Sequence, residues 1–353
     1  MEISQEMLAR AKNKGKLILH DEEIKYSRFR EGSGKIPRGT VLIGERIIFG
    51  FPHIKRIFTL QKGLEKNITE DEFYIEEKID GFNVRAILID GKIFAFSRGG
   101  FVDPFVTEKV REIQLEKFFS DYPNSVLCGE MIGRTPYTRN DFEPKLLVFD
   151  IMNADGEYVE VEKKYEILKN YKIDSVPTFG RFTIKNMEKI KQVALKLMKE
   201  KKEGMVIKSR ISNRCKYVNP FADIHDIIGN ARIMFDMPSG FFIQRVLRSA
   251  MFIRDFKLDE NKYAKELGSA FYGKLIETLK EVEKGKLIAE EFEISIKDVS
   301  IWNKIVKHMG KEIKLEKISE KKENGKLRIK FRKIYKRTNQ KFREFLSGKG
   351  IED

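Results

Sequence analysis

The sequence predicts an α+β protein that is divided into several domains. Short apolar runs with the alternation typical of β-strands dominate the first part of the chain, helical spacing follows, and alternation returns near the C-terminus. Turn signals and only a few helical segments separate the early strand runs, which favours antiparallel pairing. A chain of 353 residues also exceeds the size at which single cores usually stop growing, about 250 residues. We therefore expect antiparallel sheets with helices, in more than one domain.

The changes of period divide the chain into four predicted domains. A small N-terminal β-rich unit covers 1–65, an α+β domain 66–221, a helical domain 222–288 and a small basic βαββ domain 289–353. The aromatic and Met content of the helical domain leaves two alternatives open, a face buried against a second subunit or an internal core. The basic run at 326–337 leaves a similar choice between a polyanion-binding surface and an edge strand protected by Lys and Arg.

Charge and cysteine content limit the classes of function. Lys and Arg number 69 against 54 Asp and Glu, and the net charge of +15 makes a polyanion such as nucleic acid a reasonable partner. Two cysteines are too few for a disulfide framework, and four scattered histidines form no zinc pattern. The N-terminus lacks the apolar core of a signal peptide, and no run approaches the length of about 20 apolar residues that crosses a bilayer. We expect a soluble, cytoplasmic protein with no membrane partner.

The tripeptide Ile-Asp-Gly occurs twice, once as a predicted hairpin turn and once beside a candidate reactive lysine. The copy that ends in Asp90-Gly91 lies between apolar runs and predicts a tight hairpin turn, which would place Asn83 opposite Arg98. The other copy follows a lysine, in Lys78-Ile79-Asp80-Gly81, and has an acid before it and Asn83 and Arg85 after it. From the hairpin alone, a reactive site and a solvated strand face with scattered charges are about equally supported.

Four further motifs follow Lys78-Ile79-Asp80-Gly81 in the chain and are followed in turn by Lys216. They are Ser97-Arg98-Gly99-Gly100, Cys128-Gly129-Glu130, Val148-Phe149-Asp150 and Glu203-Gly204-Met205-Val206-Ile207-Lys208. Over about residues 75–218 the set resembles the motifs of the covalent nucleotidyltransferases, the superfamily of polynucleotide ligases and RNA capping enzymes. The resemblance implies a nucleotidyltransferase domain with an ATP-grasp-like ligase fold.

Within that superfamily, Asn83 is similar to the residue that RNA ligases carry five positions after the lysine. The order of domains is similar to that of the dimer-forming, ATP-dependent archaeal RNA ligases. The resemblance therefore implies a homodimeric RNA ligase that joins 5′-phosphate and 3′-hydroxyl RNA ends and uses ATP with Mg²⁺ or Mn²⁺. It implies a covalent lysyl-AMP followed by an RNA-adenylate. Whether the joined ends belong to one RNA, giving a circle, or to two stays open.

The resemblance also implies roles for individual residues. Arg98 and Glu130 would hold the ribose hydroxyls, Phe149 would stack on adenine, and Lys208 and Lys216 would contact the α-phosphate. The implied catalytic residues are Lys78, Asn83, Lys208 and Lys216. The implied nucleotide-binding residues are Glu76, Lys78, Asp80, Arg98, Glu130, Phe149, Lys208 and Lys216. The implied metal ligands are Glu130 and Glu203, which would place the cation largely through water.

Two features of the last motifs need explanation. Strict alternation puts Glu203 and Lys208 on opposite faces of a strand, so we expect Glu203 in the loop before that strand. Arg214 stands where the family commonly has a lysine two positions before Lys216, so its role stays open. The alternatives are a GTP-dependent RNA capping guanylyltransferase, a DNA ligase, and an RNA-binding protein with a vestigial nucleotide pocket.

Overall fold

The computed structural model describes residues 5–210, 213–310 and 313–350. The strands are β1 (Leu17–Asp21), β2 (Lys25–Phe29), β3 (Val41–Ile43), β4 (Arg46–Ile48), β5 (Lys55–Arg56), β6 (Glu72–Lys78), β7 (Phe82–Ile89), β8 (Lys92–Ser97), β9 (Val126–Ile132), β10 (Lys145–Met152), β11 (Thr178–Thr183), β12 (Gly204–Ser209), β13 (Arg214–Val218), β14 (Ala289–Ile296), β15 (Lys314–Glu323) and β16 (Lys326–Ile334). The helices are α1 (Gln5–Asn13), α2 (Leu60–Asn67), α3 (Pro104–Arg111), α4 (Glu116–Asp121), α5 (Val161–Asn170), α6 (Met187–Lys199), α7 (Pro220–Asn230), α8 (Phe241–Phe256), α9 (Glu260–Gly268), α10 (Lys274–Glu283), α11 (Val299–Met309) and α12 (Lys336–Leu346). The mixture of helices and mainly antiparallel sheets confirms the predicted α+β class.

The chain packs into two compact units, each built from three separate stretches. Unit 1 comprises Met1–Ile54, Asp80–Pro177 and Lys208–Asn213, and unit 2 comprises Lys55–Ile79, Thr178–Ile207 and Arg214–Asp353. The boundaries of the four domains expected from the sequence remain predictions. Within the described residues, no helix is both long and apolar enough to cross a membrane.

Unit 1 contains two four-stranded sheets, in the orders β1-β2-β3-β4 and β10-β9-β7-β8. The predicted hairpin joins β7 to β8. Its turn residues have positive φ, 47° at Asp90 and 73° at Gly91, as a type I′ turn requires. The predicted register holds from the turn to the pair Val84 and Ser97, so the hairpin prediction is confirmed.

Arg85 does not join the reactive groups that its place on the hairpin suggested. Its side chain is fully buried, and its guanidinium donates to the carbonyl oxygens of Phe49 at 2.6 Å, Gly39 at 2.8 Å and Ser97 at 3.0 Å. Burial lowers the pKa of Arg85 to about 10. These bonds tie three chain segments together inside unit 1, so the role of Arg85 is structural.

Unit 2 is organised around a five-stranded sheet in the order β11-β6-β12-β13-β5. One face of this sheet packs on α2, α6 and α8. The buried residues of that face come from alternate strand positions, namely Phe73, Ile75, Met205, Ile207, Cys215 and Tyr217. Because side chains alternate along a strand, the residues between them project from the opposite face. That second face carries the polar side chains described below.

The C-terminal part of unit 2 has the predicted βαββ order, with α12 added at its end. The edge-strand alternative for the basic run is wrong, because β16 lies between β14 and β15 and pairs with both. Its basic side chains meet acids on these neighbours. Lys330 pairs with Glu291 at 2.7 Å and Arg332 with Glu316 at 2.8 Å. Much of the positive charge of this strand is therefore neutralised within the sheet.

Candidate active site

Lys78 is paired with Glu203 in unit 2. Lys78 is the last residue of β6, and Glu203 lies in the loop that immediately precedes β12, as expected from the alternation argument. The Lys78 ammonium contacts Glu203 Oε2, and both side chains are mostly buried, with 19% and 17% of their surface exposed. A parallel ion pair, Lys202 with Glu77 at 3.0 Å, lies one residue away in each segment. The candidate nucleophile therefore has a carboxylate partner within unit 2.

The backbone after Lys78 is fixed by a close approach at Gly81 in unit 1. A Cβ at this position would lie 2.7 Å from the Met131 carbonyl oxygen on β9, closer than real Cβ atoms come. This packing sets the start of β7, where Asn83 pairs with Glu130 of β9. Asn83 Oδ1 is buried and has no hydrogen-bond partner among the described residues. The amide oxygen of Asn83 can therefore accept a hydrogen bond from a ligand.

Arg98 follows the last residue of β8 and acts electrostatically on Glu130. Burial lowers the pKa of the Arg98 guanidinium, and the negative charge of Glu130 opposes that shift. Arg98 Nε is buried without an acceptor among the described residues. Three of the predicted site residues, Asn83, Arg98 and Glu130, thus gather at one end of the β9-β7-β8 strands of unit 1.

Phe149 lies at a β-bulge, where the pairing of β10 with β9 shifts between Val148 and Asp150. Bulges re-aim side chains and are common beside active sites. The Phe149 carbonyl oxygen accepts from Lys208 Nζ at 2.7 Å, and Lys208 Nζ also lies 3.1 Å from Asp150 Oδ1. The half-buried ring of Phe149 meets Phe51 edge to face at 5.0 Å. Phe149 and Lys208, predicted to contact adenine and phosphate, are therefore neighbours in unit 1.

A second buried lysine, Lys164 of α5, was missed by the sequence analysis. Its Nζ donates to the same Phe149 carbonyl oxygen at 2.9 Å, and its side chain is fully buried. The available signal was its position, because Lys164 shares the buried face of α5 with Val161 and Ile167 at helical spacing. A lysine at an apolar position of an amphipathic helix indicates a buried charge with a specific partner.

The face of the unit 2 sheet opposite the core carries further predicted residues. Glu76 is almost fully buried and shares this face with Lys78 on β6, and Lys216 projects from the same face of β13. Arg214 begins β13 two positions before Lys216 and therefore has the same orientation. Asp80 is exposed just beyond the end of β6 and belongs to unit 1. The predicted residues of unit 2 are thus Glu76, Lys78, Glu203 and Lys216.

The donor types suit a hard cation held mainly by its nucleotide. Carboxylate oxygens such as those of Glu130 and Glu203 are the ligands that Mg²⁺ prefers, usually with several waters retained. Among the described residues, no group of three or more His, Cys, Asp or Glu side chains could hold a metal ion by itself. The described residues therefore offer a cation single carboxylates, with the nucleotide and water completing its coordination.

Two family models match the chain in succession. The RNA ligase family matches residues 71–218, and the C-terminal region of the Pab1020 ligase matches residues 230–349. The first match spans all the motifs from Lys78 to Lys216.

Whole-chain relatives agree with these matches. A solved structure from Aquifex aeolicus, proposed to be an ATP-dependent DNA ligase, is 29% identical, with a TM-score of 0.92 over 99% of this chain and 100% of that one. An archaeal ATP-dependent RNA ligase structure is 26% identical, with a TM-score of 0.90 over 98% of this chain and 96% of that one. An uncharacterised protein of Methanocaldococcus jannaschii is 29% identical over 94% of this chain and 91% of its own length. The chain therefore combines a region that matches the RNA ligase family with a following region that matches the C-terminal part of the Pab1020 ligase, an arrangement consistent with the covalent nucleotidyltransferase superfamily.

Proposed function

We propose that the protein is an ATP-dependent RNA ligase that acts through a covalent AMP on Lys78. The observation that carries this proposal is the Lys78 and Glu203 pair, which places an amine beside a carboxylate at the ends of neighbouring sheet segments. The pair lies within the region that matches the RNA ligase family. The similarity to an archaeal ATP-dependent RNA ligase over nearly the whole chain supports ATP as the nucleotide.

In the first step Lys78 attacks the α-phosphorus of ATP. Lys78 reacts as the free amine, so its ammonium must first lose a proton to solvent. A bond forms between Nζ and phosphorus, the bond from phosphorus to the bridging oxygen breaks, and its electron pair leaves with pyrophosphate. Mg²⁺, when bound with the nucleotide, would neutralise phosphate charge. The resemblance assigns Glu203 and Glu130 to the cation, each as a single carboxylate of its own unit.

In the later steps AMP passes to an RNA 5′-phosphate, and a 3′-hydroxyl then displaces it. Both are displacements at a negatively charged phosphorus, so alignment and charge neutralisation dominate catalysis. We assign Asn83 to the RNA end and AMP phosphate, because its amide oxygen and nitrogen can orient both. The remaining roles follow the family resemblance: Arg98 and Glu130 at the ribose, Phe149 at adenine, Glu76 and Asp80 near the nucleotide, and Lys208 and Lys216 at the α-phosphate.

Incubation with α-labelled ATP tests the first step. The wild-type protein should become covalently labelled, and Lys78→Ala should abolish the label. Lys202→Ala is the matched control, because it removes the lysine of the neighbouring ion pair with Glu77 and should leave labelling intact. Labelling that survives Lys78→Ala would refute the mechanism, and a preference for GTP would favour a capping guanylyltransferase instead.

A DNA ligase is the second candidate, because the Aquifex aeolicus relative is proposed to be one. Labelled enzyme should therefore be offered 5′-phosphorylated RNA and DNA of the same sequence. We expect transfer of AMP to RNA and sealing to a 3′-hydroxyl RNA end, since Asn83 resembles the residue of RNA ligases. Preferential sealing of DNA would overturn the RNA assignment and leave the covalent step intact.

We further propose that the protein acts as a homodimer through α8. Ile243, Val246 and Leu247 lie at helical spacing on this helix and expose 74%, 39% and 52% of their surface. Three apolar side chains on one stripe are costly in water and suit a second copy of the same helix. Sedimentation velocity should give a dimer for the wild type and a monomer for Leu247→Glu. A wild-type monomer at micromolar concentration would refute this proposal.

A further inference from the structure

Arg56 extends the Lys78 face of the unit 2 sheet by one strand. The two-residue strand β5 pairs in parallel with β13 at the edge of the sheet, and Arg56 lies opposite Lys216. Paired residues on neighbouring strands project from the same face. Because Cys215 and Tyr217 flank Lys216 and point into the core, Lys216 and Arg56 both project from the face that carries Lys78.

The charges of two more guanidinium groups, those of Arg248 and Arg245, act on Arg56. Arg248 of α8 is 5% exposed and donates through Nε to Asp223 Oδ1 at 2.9 Å, and Arg245 donates to Asp226 Oδ2 at 2.7 Å. Burial lowers the pKa of Arg56, and the charges of Arg248 and Arg245 lower it further while those of Asp223 and Glu203 oppose them. Arg56 therefore lies within electrostatic reach of Glu203, the partner of Lys78.

The cluster has unused hydrogen-bonding capacity. Among the described residues Arg56 makes no hydrogen bond or ion pair, and both Arg56 Nε and Arg248 Nη1 are buried without an acceptor. A guanidinium keeps its charge in proteins, and a buried N–H donor without a hydrogen-bond acceptor is unfavourable. Phosphate oxygens match the guanidinium fork in charge and geometry. The cluster thus suits a phosphate group as its missing acceptor.

The order of strands indicates which phosphate this is. In a displacement at phosphorus the attacking and leaving atoms lie roughly in line, so the leaving group departs on the side away from Lys78. Lys78 is on β6, Lys216 two strands away on β13, and Arg56 on the next strand. At about 4.8 Å per strand, the backbones of Lys78 and Arg56 are about 14 Å apart. A triphosphate that meets Lys78 at its α-phosphorus can extend toward Arg56 with its β- and γ-phosphates.

We propose that Arg56, supported by Arg248, binds the β- and γ-phosphates of ATP and stabilises the leaving pyrophosphate. This inference rests on the proposed function, because pyrophosphate leaves only when Lys78 attacks ATP. As the bond from phosphorus to the bridging oxygen breaks, negative charge accumulates on pyrophosphate, and a guanidinium beside it lowers the barrier. Neither AMP transfer to RNA nor sealing involves pyrophosphate, so these steps do not need Arg56.

The test separates the pyrophosphate step from sealing. Arg56→Ala should slow labelling by α-labelled ATP roughly 100-fold, the range for loss of one charge-stabilising donor. It should also raise, by about tenfold or more, the concentration of inorganic pyrophosphate that releases AMP from labelled enzyme. Sealing of RNA that already carries a 5′-adenylate should stay within about twofold of wild type. The labelling rate and pyrophosphate response of Arg56→Lys should lie between those of the wild type and Arg56→Ala. The ammonium of lysine keeps the positive charge but cannot make the two parallel hydrogen bonds of a guanidinium.

Lys55→Ala is the matched control, because Lys55 is the neighbouring basic residue of β5 and pairs with Cys215, which points to the other face. It should leave all three rates unchanged. Equal losses in labelling and in sealing of adenylated RNA would overturn the inference in favour of an RNA phosphate contact or a folding defect. Normal labelling and normal pyrophosphate response of Arg56→Ala would overturn it outright. Absence of label on the wild type would instead refute the proposed function and the inference with it.

Discussion

Replacing Arg85 by Met should destabilise unit 1 by about 3 kcal/mol. Three hydrogen bonds from a charged donor to carbonyl oxygens contribute roughly 6 kcal/mol in all. Against this, the lowered pKa of Arg85, about 10 where 12.5 is usual, indicates that burying the charge costs about 3 kcal/mol. Arg85→Met removes both the three hydrogen bonds and the cost of burying the charge, and methionine fills a similar volume. The bonds outweigh the burial cost, so the variant should be less stable.

Hydrogen exchange is the assay that reports on this unit. The amides of β7 and β8 surround Arg85 and should lose protection by an amount that corresponds to about 3 kcal/mol. The single tryptophan, Trp302, lies on α11 in unit 2, so its fluorescence serves as a reference for the other unit. Arg85→Lys should lose less protection, because its ammonium keeps the charge and some of the bonds. Unchanged protection of β7 and β8 in Arg85→Met would show that the three bonds contribute nothing net.

Three further variants test other features. Gly81→Ala should lower both the unfolding midpoint and the rate of labelling by ATP, because its Cβ would meet the Met131 carbonyl oxygen; a variant with wild-type labelling would contradict this. Phe149→Ala should raise the ATP concentration for half-maximal labelling by about fivefold or more, the loss of one base-stacking contact, and an unchanged value would argue for a core role only. The double variant Glu291→Gln and Glu316→Gln frees two cations of β16, so its non-specific RNA affinity should rise and its log-log salt dependence should steepen by about 1.4. An unchanged slope in filter binding would exclude this strand from RNA contact.

The local sequence pattern was sufficient to predict those parts of the site whose geometry is set by residues close together in the chain. The hairpin register followed from Asp90-Gly91, because a two-residue turn fixes which residues face each other. The place of Glu203 in a loop followed from the strict alternation along β12. Both predictions needed only the geometry of one strand or one turn.

Pairing between distant segments could not be predicted in the same way. Arg56 joins the candidate site only because β5 pairs with β13, 160 positions later in the chain at Lys216. Nothing in the short basic stretch around Arg56 indicates that partner. The charges of β16 were visible, but the acids that neutralise them belong to β14 and β15, and a single strand's pattern does not show its neighbours.

The interleaving of the two units has a consequence for how the protein can be divided. Every motif residue precedes 221, yet a fragment that ended there would lack Asp255 of α8, which accepts from the Leu60 amide at 2.7 Å and from the Tyr217 hydroxyl at 3.1 Å. It would also lack Phe252, which completes the core beneath the five-stranded sheet. A cut at 221 would therefore expose the core that this sheet shares with α8. During synthesis, the sheet that carries Lys78 must wait for α8 to emerge before its core can close.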